Sequence, residues 1–436
     1  MGRSLGHHIA AAAMAATLIA ANNARAETPD AALRGHGGPI RAVAILPDGK
    51  LASAGFDSAI ILWTIAEGRA HRVLRFHDTT VNALATRRDG CLISGGEDAR
   101  IAIWCGAQAG PGVTLQGHSG PVSALAAAAD GTFIASGSWD RTVRLWSPDG
   151  TSRIAAEHAA PVTSVVVTVD GTAVLSAAYD GSLRLTPIAA SGTAPARQLQ
   201  LTGPVNGVAM TAEGTFLLAC ADGVLREIDA SLRPLRDIAL PDGPLTTVAV
   251  SPDGRTIATG GLRTPVTLID RASGKEKSRI LGPGLPLWAI AFSADGRELY
   301  SGGADRAVRR FDVATGQPLG PSIAPASSTE IVDAKDPGAQ VFRACRACHG
   351  LTVADTHLAG PTLHGIMGRR IASLPGYTFS NPLKAMDIVW TPETIAKLFE
   401  VGPTAYTPGT KMPEQRITDP EARAALVAWL ARVTKP

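Results

Sequence analysis

The 436-residue sequence has no excess of either charge and few charged residues overall. Lysine and arginine number 41 against 38 aspartate and glutamate, and charged residues make up 18% of the chain. This balance disfavours nucleic acid or an anionic membrane surface as a partner. Glycine is abundant, at 46 residues, and the mean hydropathy is slightly positive at +0.12. Such a composition favours strands and tight turns over long solvated helices.

The sequence also lacks an apolar run of membrane-spanning length. The run over residues 9–21 has about 13 residues, whereas a spanning helix needs about 20. Arg3 precedes this run, and Ala24-Arg25-Ala26 follows it as a small-x-small cleavage site. The pattern predicts a cleaved signal peptide over residues 1–26 and a soluble, exported protein, with an uncleaved anchor as the alternative.

Residues 27–320 show no nucleophile–base pair, phosphate loop or carboxylate cluster, but they contain one turn dipeptide seven times. The glycines of the seven pairs are 41, 41, 40, 43, 40 and 42 residues apart. The pairs are Asp48-Gly49, Asp89-Gly90, Asp130-Gly131, Asp170-Gly171, Glu213-Gly214, Asp253-Gly254 and Asp295-Gly296. An acidic–Gly pair is a hairpin signal, and a period of about 40–45 residues is typical of a four-stranded propeller blade.

The third repeat illustrates the predicted blade. Strands are expected at Pro121–Ala127, Thr132–Gly137 and Thr142–Trp146, and the outermost strand should come from the segment leading into the next repeat. A single blade cannot bury both of its faces, whereas a closed ring of seven blades can. We expect residues 31–34 to close the ring as the outer strand of the last blade, with residues 317–325 as the competing candidate.

The repeats resemble those of WD-repeat propellers. In that family a His, a Ser or Thr, a turn Asp and a Trp form a hydrogen-bonded tetrad within each blade. The complete sets are His36, Ser53, Asp57, Trp63; His77, Ser94, Asp98, Trp104; and His118, Ser136, Asp140, Trp146. The fourth repeat keeps His158, Ser176 and Asp180 but has Thr186 in place of Trp, and the last three repeats are eroded, with Ser301, Asp305 and Phe311 echoing the pattern.

We interpret the repeated histidines as buried structural groups, not as metal ligands, because each has its own Ser and Asp partners in the pattern. The resemblance implies a rigid docking platform for proteins.

Cys91 and Cys105 should lie opposite each other on one hairpin, so a disulfide or two buried thiols are both open at this point.

The strongest chemical motif lies beyond the repeats and a Pro- and Ser-containing linker at residues 321–335. Cys345-Arg346-Ala347-Cys348-His349 is a Cys-x-x-Cys-His run. Two thiols at this spacing can form thioethers to the vinyl groups of one haem, and the adjacent imidazole can bind its iron. Alone, the motif also fits a redox dithiol, half a zinc site or a chance match.

Helical patterns replace the repeat in residues 336–436. Helices are predicted at Pro337–Ala347, Thr391–Phe399 and Pro420–Val433, the last of them amphipathic. Gly338 and Phe342 precede the Cys-x-x-Cys-His run. Three further motifs follow in order: Gly360-Pro361-Thr362-Leu363-His364-Gly365-Ile366-Met367-Gly368-Arg369, then Ile388-Val389-Trp390, then Tyr406-Thr407-Pro408-Gly409-Thr410-Lys411-Met412. In this combination and order, residues 336–436 resemble a class I cytochrome c, a small all-α fold.

The resemblance implies one covalent haem c. Cys345 and Cys348 would attach it, and His349 and Met412 would be the axial ligands of the iron. The Pro361 carbonyl would orient His349, a role carried over from the family. Arg369, Trp390 and Thr410 occupy positions at which the family holds the haem propionates.

Two positions depart from the family pattern. Phe379 and Phe399 stand where many relatives have tyrosines whose hydroxyls bond a propionate and the methionine sulfur, so no potential is assigned. Met210, Met367 and Met386 are interpreted as core residues. His357 and His364 are interpreted as surface or loop residues, not as iron ligands.

Three functions remain open from the sequence. The first is a periplasmic electron carrier whose propeller docks a redox partner protein; with both axial positions filled, electron transfer is favoured over catalysis. The second is a redox enzyme in which the propeller holds a second cofactor or substrate and haem c serves as the electron port. The third is an assembly or sensing module whose binding follows the haem redox state.

Overall fold

The computed structural model describes residues 32–108, 110–188, 196–263, 266–280, 286–319, 336–342, 345, 349–353, 360–375, 377, 379–410, 412 and 416–435. These residues form seven four-stranded antiparallel sheets followed by a small helical region. The prediction of an all-β seven-bladed propeller ahead of an all-α domain is therefore confirmed. The predicted signal peptide at 1–26 and linker at 321–335 lie outside the described residues.

Each sheet is one blade, and the first strand of a blade packs against the first strands of its two neighbours around the ring. Blade 1 has β2 (Ile40–Ile45), β3 (Leu51–Gly55), β4 (Ala59–Thr64) and β5 (Arg69–Arg75); blade 2 has β6 (Val81–Thr86), β7 (Leu92–Gly96), β8 (Arg100–Trp104) and β9 (Val113–Gln116). Blade 3 has β10 (Val122–Ala127), β11 (Ile134–Ser138), β12 (Thr142–Trp146) and β13 (Ser152–Glu157); blade 4 has β14 (Val162–Val167), β15 (Ala173–Ala178), β16 (Ser182–Pro187) and β17 (Arg197–Gln200).

The remaining blades follow the same order. Blade 5 has β18 (Val205–Met210), β19 (Phe216–Cys220), β20 (Val224–Ile228) and β21 (Pro234–Ala239); blade 6 has β22 (Leu245–Val250), β23 (Thr256–Gly261), β24 (Val266–Asp270) and β25 (Glu276–Ile280). Blade 7 has β26 (Leu287–Phe292), β27 (Glu298–Gly303) and β28 (Ala307–Asp312).

The ring is closed by the start of the described chain. Strand β1 (Ala32–Arg34) pairs antiparallel with β28 as the fourth strand of blade 7, with Leu33 opposite Val308. This confirms the first of the two candidates for closure. From the second candidate, Pro318 makes an isolated bridge to Phe311, while residues 320–325 lie outside the described residues.

Two ends of the ring differ in their turns. The acidic–Gly turns join first to second strands at one end, where Gly49 has a φ of +80° that suits glycine. The other end, which we call the upper face, carries the turns between second and third strands and the loops that enter the first strands. The tetrad histidines and aspartates therefore all lie at the upper face.

The three predicted tetrads form as buried hydrogen-bond chains. In blade 1, His36 Nδ1 lies 3.0 Å from Asp57 Oδ2, and its Nε2 lies 2.7 Å from Ser53 Oγ. Trp63 Nε1–H donates to the same Ser53 oxygen at 2.7 Å. Blades 2 and 3 repeat these contacts. Each chain ties the upper loop to the second and third strands of its own blade.

Blade 4 differs from the predicted arrangement. The hydroxyl of Ser182 lies 2.7 Å from His158 Nδ1 and donates to Asp180 at 2.7 Å, so it stands between the two predicted partners. Ser176 lies 2.8 Å from His158 Nε2, as in the other blades. Burial, aided by the positive charge of Arg184, lowers the pKa of His158 to about 4. The imidazole of blade 4 is therefore neutral.

A disulfide joins the two predicted hairpin cysteines. Cys91 and Cys105 flank the paired strands β7 and β8, and their Cα atoms are 4.5 Å apart. Cys220 is a buried thiol on β19 and packs in an apolar cluster, as expected for a core residue.

The described residues of the C-terminal region include five helices around one apolar core. They are α1 (Pro337–Phe342), α2 (Asn381–Lys384), α3 (Pro392–Val401), α4 (Pro403–Tyr406) and α5 (Pro420–Val433). Thr391 caps α3 and Asp419 caps α5, each accepting a hydrogen bond from a first-turn amide. Among the helices of the described residues, none has the length and apolar character to cross a membrane.

Helices α1 and α5 pack closely because α1 begins with a glycine at the contact. A Cβ at Gly338 would collide with the Ala425 carbonyl and with Trp429. Phe342 and Trp429 stack with ring centroids 4.9 Å apart, and Asp336 forms an ion pair with Arg432. The first predicted helix, Pro337–Ala347, is helical over Pro337–Phe342, and residues 343–344 and 346–347 lie outside the described residues.

Candidate functional site

The C-terminal domain contains a deep cleft with mainly apolar walls. Helices α1, α3 and α5 form one side, through Phe342, Leu398, Leu426 and others, and the segments around residues 360–374 and 407–412 form much of the remainder. The cleft contains most of the predicted site residues. Its described lining includes Cys345, His349, Pro361, Arg369, Trp390, Thr410 and Met412. Cys348 lies outside the described residues.

His349 is held in one orientation at the wall of the cleft. Its Nδ1 lies 2.7 Å from the Pro361 carbonyl oxygen, to which it donates a hydrogen bond. Burial lowers the pKa of His349, although the bond to Pro361 opposes the shift. The ring is therefore neutral with its proton on Nδ1, which leaves the Nε2 lone pair as the metal-binding group.

Cys345 lies one turn before this histidine and also lines the cleft. Its backbone amide donates to the Phe342 carbonyl at 2.8 Å, and its own carbonyl accepts from the His349 amide at 3.0 Å. Burial raises the pKa of the Cys345 thiol to about 11. The thiol is thus protonated and apolar in the folded chain, in a turn shared with His349.

Met412 lines the cleft from a loop that follows α4. Its amide donates to the Thr410 hydroxyl at 3.2 Å, and the Ser380 hydroxyl donates to the Gly409 carbonyl at 2.7 Å. Gly409 has a φ of +82° and packs against Pro382, so the loop rests on the start of α2. These contacts present the soft thioether sulfur of Met412 and the hydroxyl of Thr410 at the same cleft.

Arg369 braces the loop on the histidine side. Its guanidinium donates to the carbonyls of His364 at 3.0 Å and Thr362 at 2.9 Å, and burial lowers its pKa. The Trp390 amide donates to the Arg369 carbonyl at 2.9 Å. Arg369 and Trp390 both line the cleft. Arg369 therefore holds the loop in place and also lies where the sequence predicts a contact with a haem propionate.

The donor set fits a covalent haem. A neutral imidazole, a thioether and a protonated thiol meet at one apolar cleft, which is the chemistry that a large, mostly apolar iron macrocycle requires. Among the described residues, no group of three or more His, Cys, Asp or Glu side chains is arranged to hold a metal ion. The tetrad histidines are occupied by their own partners.

Several lining residues were missed by the sequence interpretation. Tyr377 lines the cleft two residues before Phe379, and their ring centroids are 4.6 Å apart. The propeller also lines the cleft, through Gly37, Asp57 and Arg75. Tyr377 could have been found from the sequence, because it lies two residues from Phe379. No local sequence pattern marks Arg75 as a cleft residue.

Most of the other candidate residues among those described lie away from the cleft lining. Met210 and Met367 pack against apolar clusters, as predicted. His364 uses its backbone carbonyl and is absent from the described cleft lining, while His357 lies outside the described residues. Phe399 is buried in the core of the domain and reaches the cleft with Leu398.

Comparison with known families separates the chain into the same two parts. Residues 27–64, 68–105, 110–147, 152–186 and 274–312 match the family described as "WD domain, G-beta repeat". Residues 336–434 match the family described as "Cytochrome c". The stretch between 186 and 274, which has no such match, contains repeats in which the tetrad is eroded.

Several cytochromes resemble about a quarter of the chain. Cytochrome c of Cochliobolus lunatus is 36% identical over 104 residues, which are 24% of this chain and 94% of that protein. Cytochrome c of Arabidopsis thaliana is 36% identical over 104 residues, 24% of this chain and 91% of that protein. Cytochrome c-554 of Methylosinus trichosporium is 38% identical over 117 residues, 26% of this chain and 88% of that protein.

Proposed function

Because the chain belongs to the cytochrome c family through its C-terminal domain and carries a WD-repeat propeller ahead of it, we propose that it is a periplasmic electron carrier whose propeller docks a redox partner protein. The family assignment supports a haem protein of electron transfer, and the WD repeats support protein interaction.

The observation that carries the proposal is the meeting of His349, Met412 and Cys345 at one apolar cleft. Cys345 and Cys348 would attach one haem c, and His349 Nε2 and the Met412 sulfur would bind its iron. Pro361 keeps the imidazole in the required tautomer through the 2.7 Å contact to Nδ1. When bound, the haem supplies a one-electron couple between ferric and ferrous iron.

The haem propionates would be held by Arg369, Trp390 and Thr410. Their side chains line the cleft, and a buried carboxylate needs hydrogen bonds or a charge partner. The Arg369 guanidinium already donates to two loop carbonyls. Its side chain is therefore fixed before a propionate binds, and little side-chain entropy is lost on binding. Two protein ligands on the iron leave no open position for oxygen or peroxide, which favours electron transfer over catalysis.

Export is the remaining part of the proposal. Covalent attachment of haem to Cys-x-x-Cys-His takes place outside the bacterial cytoplasm, and residues 1–26 have the pattern of a signal peptide. The mature protein should therefore begin at Glu27. Amino-terminal sequencing of the protein from the periplasmic fraction checks this, and retention of residues 1–26 on the mature chain would contradict cleavage.

Substitution of Met412 by Ala tests the ligand assignment. The wild type should carry one covalent haem per chain and show the long-wavelength absorption band of a sulfur–iron bond. Met412→Ala should keep the covalent haem, lose that band and shift to a lower midpoint potential, because a thioether favours ferrous iron. Pyridine haemochrome assay, visible spectroscopy and redox titration measure the three properties.

Met386→Ala is the matched control, since Met386 is half-buried and is absent from the described cleft lining. It should leave both band and potential unchanged. A spectrum unaltered by Met412→Ala would remove Met412 as the ligand. A second chromophore in the purified protein, or turnover of nitrite or an alcohol, would instead support the redox-enzyme alternative.

A further inference from the structure

The upper face of the propeller meets the C-terminal domain at the loop that carries Met412. Thr410 and Met412 share a groove with residues of three blades. The propeller side of this groove includes Gly38 and Phe56 of blade 1, Thr79 at the entry to blade 2, and Arg306 of blade 7. The loop with the proposed sulfur ligand therefore faces protein across this groove.

Arg75 extends the contact into the haem cleft itself. It ends strand β5 at the upper face and lines the cleft together with Gly37 and Asp57. Its guanidinium carbon lies 4.3 Å from the centroid of the Tyr377 ring, within the range of a cation–π contact. Tyr377 belongs to the cytochrome domain and lines the same cleft. Arg75 and Tyr377 thus join the two domains at the edge of the site.

We propose that the haem site of this protein is composite, with the upper face of the propeller as one wall and Arg75 as the charged residue that the propeller supplies. The proposal rests on the haem function proposed above. In it the propeller, besides docking a partner, covers the Met412 loop and influences the potential of the iron in its own chain.

The positive charge of Arg75 should change the midpoint potential of the iron in a definite direction. Ferric iron carries one more positive charge than ferrous iron, so a fixed positive charge at the cleft disfavours the oxidised state. The effect is strengthened where apolar walls keep the local dielectric low. Two negative groups face the same region and are unchanged when Arg75 is replaced: Asp57 lines the cleft with bonds to His36 and the Gly37 amide, and Glu97 lines the neighbouring groove, while Asp78 pairs with Arg100. Removal of the Arg75 charge should therefore lower the midpoint potential.

Redox titration of the full-length protein with its haem attached tests the charge. Arg75→Gln should have a lower midpoint potential than the wild type, and Arg75→Lys, which keeps the charge, should restore most of the difference. Arg69→Gln is the matched control, because Arg69 lies at the other end of β5, with an exposed side chain paired to Glu67. It makes the same change of charge and should leave the potential unchanged.

Hydrogen–deuterium exchange tests the covering of the Met412 loop without reference to the potential. Thr79→Arg places a long side chain in the groove and should speed amide exchange in residues 407–412 several-fold. Ala160→Arg is the equivalent change in the loop that enters blade 4, which is outside the described lining of the groove. It should leave exchange in residues 407–412 at the wild-type rate.

The two measurements separate this proposal from the assignment of function. Equal potentials in Arg75→Gln, Arg69→Gln and the wild type, with unchanged exchange in Thr79→Arg, would overturn the composite site while leaving the Met412 ligand intact. Absence of covalent haem from the wild type would overturn the proposed function. In that case the exchange comparison would still show whether the propeller covers the loop.

Discussion

Single hydroxyl groups hold the first three blades together at their buried centres. Ser136 in blade 3 serves both His118 Nε2 and Trp146 Nε1, each at 2.7 Å. Blade 4 has Thr186 where the others have Trp, so Ser176 serves His158 Nε2 and makes only a long 3.4 Å contact to the Arg184 carbonyl. The equivalent serines of blades 3 and 4 thus hydrogen-bond to different numbers of buried side chains.

We expect Ser136→Ala to destabilise the propeller more than Ser176→Ala does. The change in blade 3 leaves the indole N–H as well as an imidazole nitrogen unsatisfied, and each buried unsatisfied group costs about 1–3 kcal/mol. The difference between the two variants should therefore be about 1–3 kcal/mol in the free energy of unfolding. Urea titration followed by circular dichroism measures it, and equal losses would contradict the shared-hydroxyl account.

At the scale of one structural element, blade 4 differs from its neighbours in the proton equilibrium of its histidine. His158 lacks a direct carboxylate partner, and burial lowers its pKa from an ordinary 6.5 to about 4. Burial also lowers the pKa of His118, although Asp140 opposes that shift directly. A neutral imidazole is thus part of the folded blade.

This difference predicts how stability depends on pH. The unfolded chain takes up a proton on His158 near pH 6.5, whereas the folded blade does so near pH 4. Stability from this group is complete above pH 6.5 and falls as the pH falls from 6.5 to about 4. Thermal unfolding between pH 7 and pH 4 should show the loss. His158→Gln should flatten part of the slope, since His118 contributes with the same sign, and an unchanged slope would exclude His158 as a source.

At the scale of the whole molecule, the ring depends on a contact between the two ends of the propeller sequence. Leu33 on β1 is fully buried beside Ile40, Tyr300 and Val308. These residues belong to blades 1 and 7, so Leu33 packs across the closure. The C-terminal domain then lies against the upper face of the same region, through Arg75 and Tyr377.

Leu33→Ala should weaken blades 1 and 7 together. Loss of a buried leucine side chain costs about 2–5 kcal/mol, and here the lost contacts also close the ring. Amide exchange should rise in β2 as well as in β26 to β28. Leu115→Ala is the control: it lies on the outer strand of blade 2 in a cluster shared with blade 3, so it should raise exchange in blades 2 and 3 and leave β26 to β28 unchanged. Exchange confined to blade 7 in Leu33→Ala would show that closure is not shared.

The repeat, the tetrads and the cytochrome motifs were readable from the sequence because each is a local pattern with fixed spacing. The acidic–Gly turns predicted seven blades, and helix α5 has the bounds that the sequence predicted. The path of the hydrogen bonds in blade 4 was not predictable, because Ser182 replaces a direct contact without altering the spacing of His158 and Asp180.

The sequence alone determined the two folds, their order and the residue types of the cleft, since these follow from periodicity and short motifs. Tertiary structure decided that Cys91 bonds Cys105, that β1 closes the ring, and that Arg75 reaches the cleft. Arg75 and Tyr377 are about 300 positions apart, and their meeting depends on how two separately folded surfaces fit. No local pattern encodes such a fit, because the free energy of the contact comes from the shapes and charges of both domains.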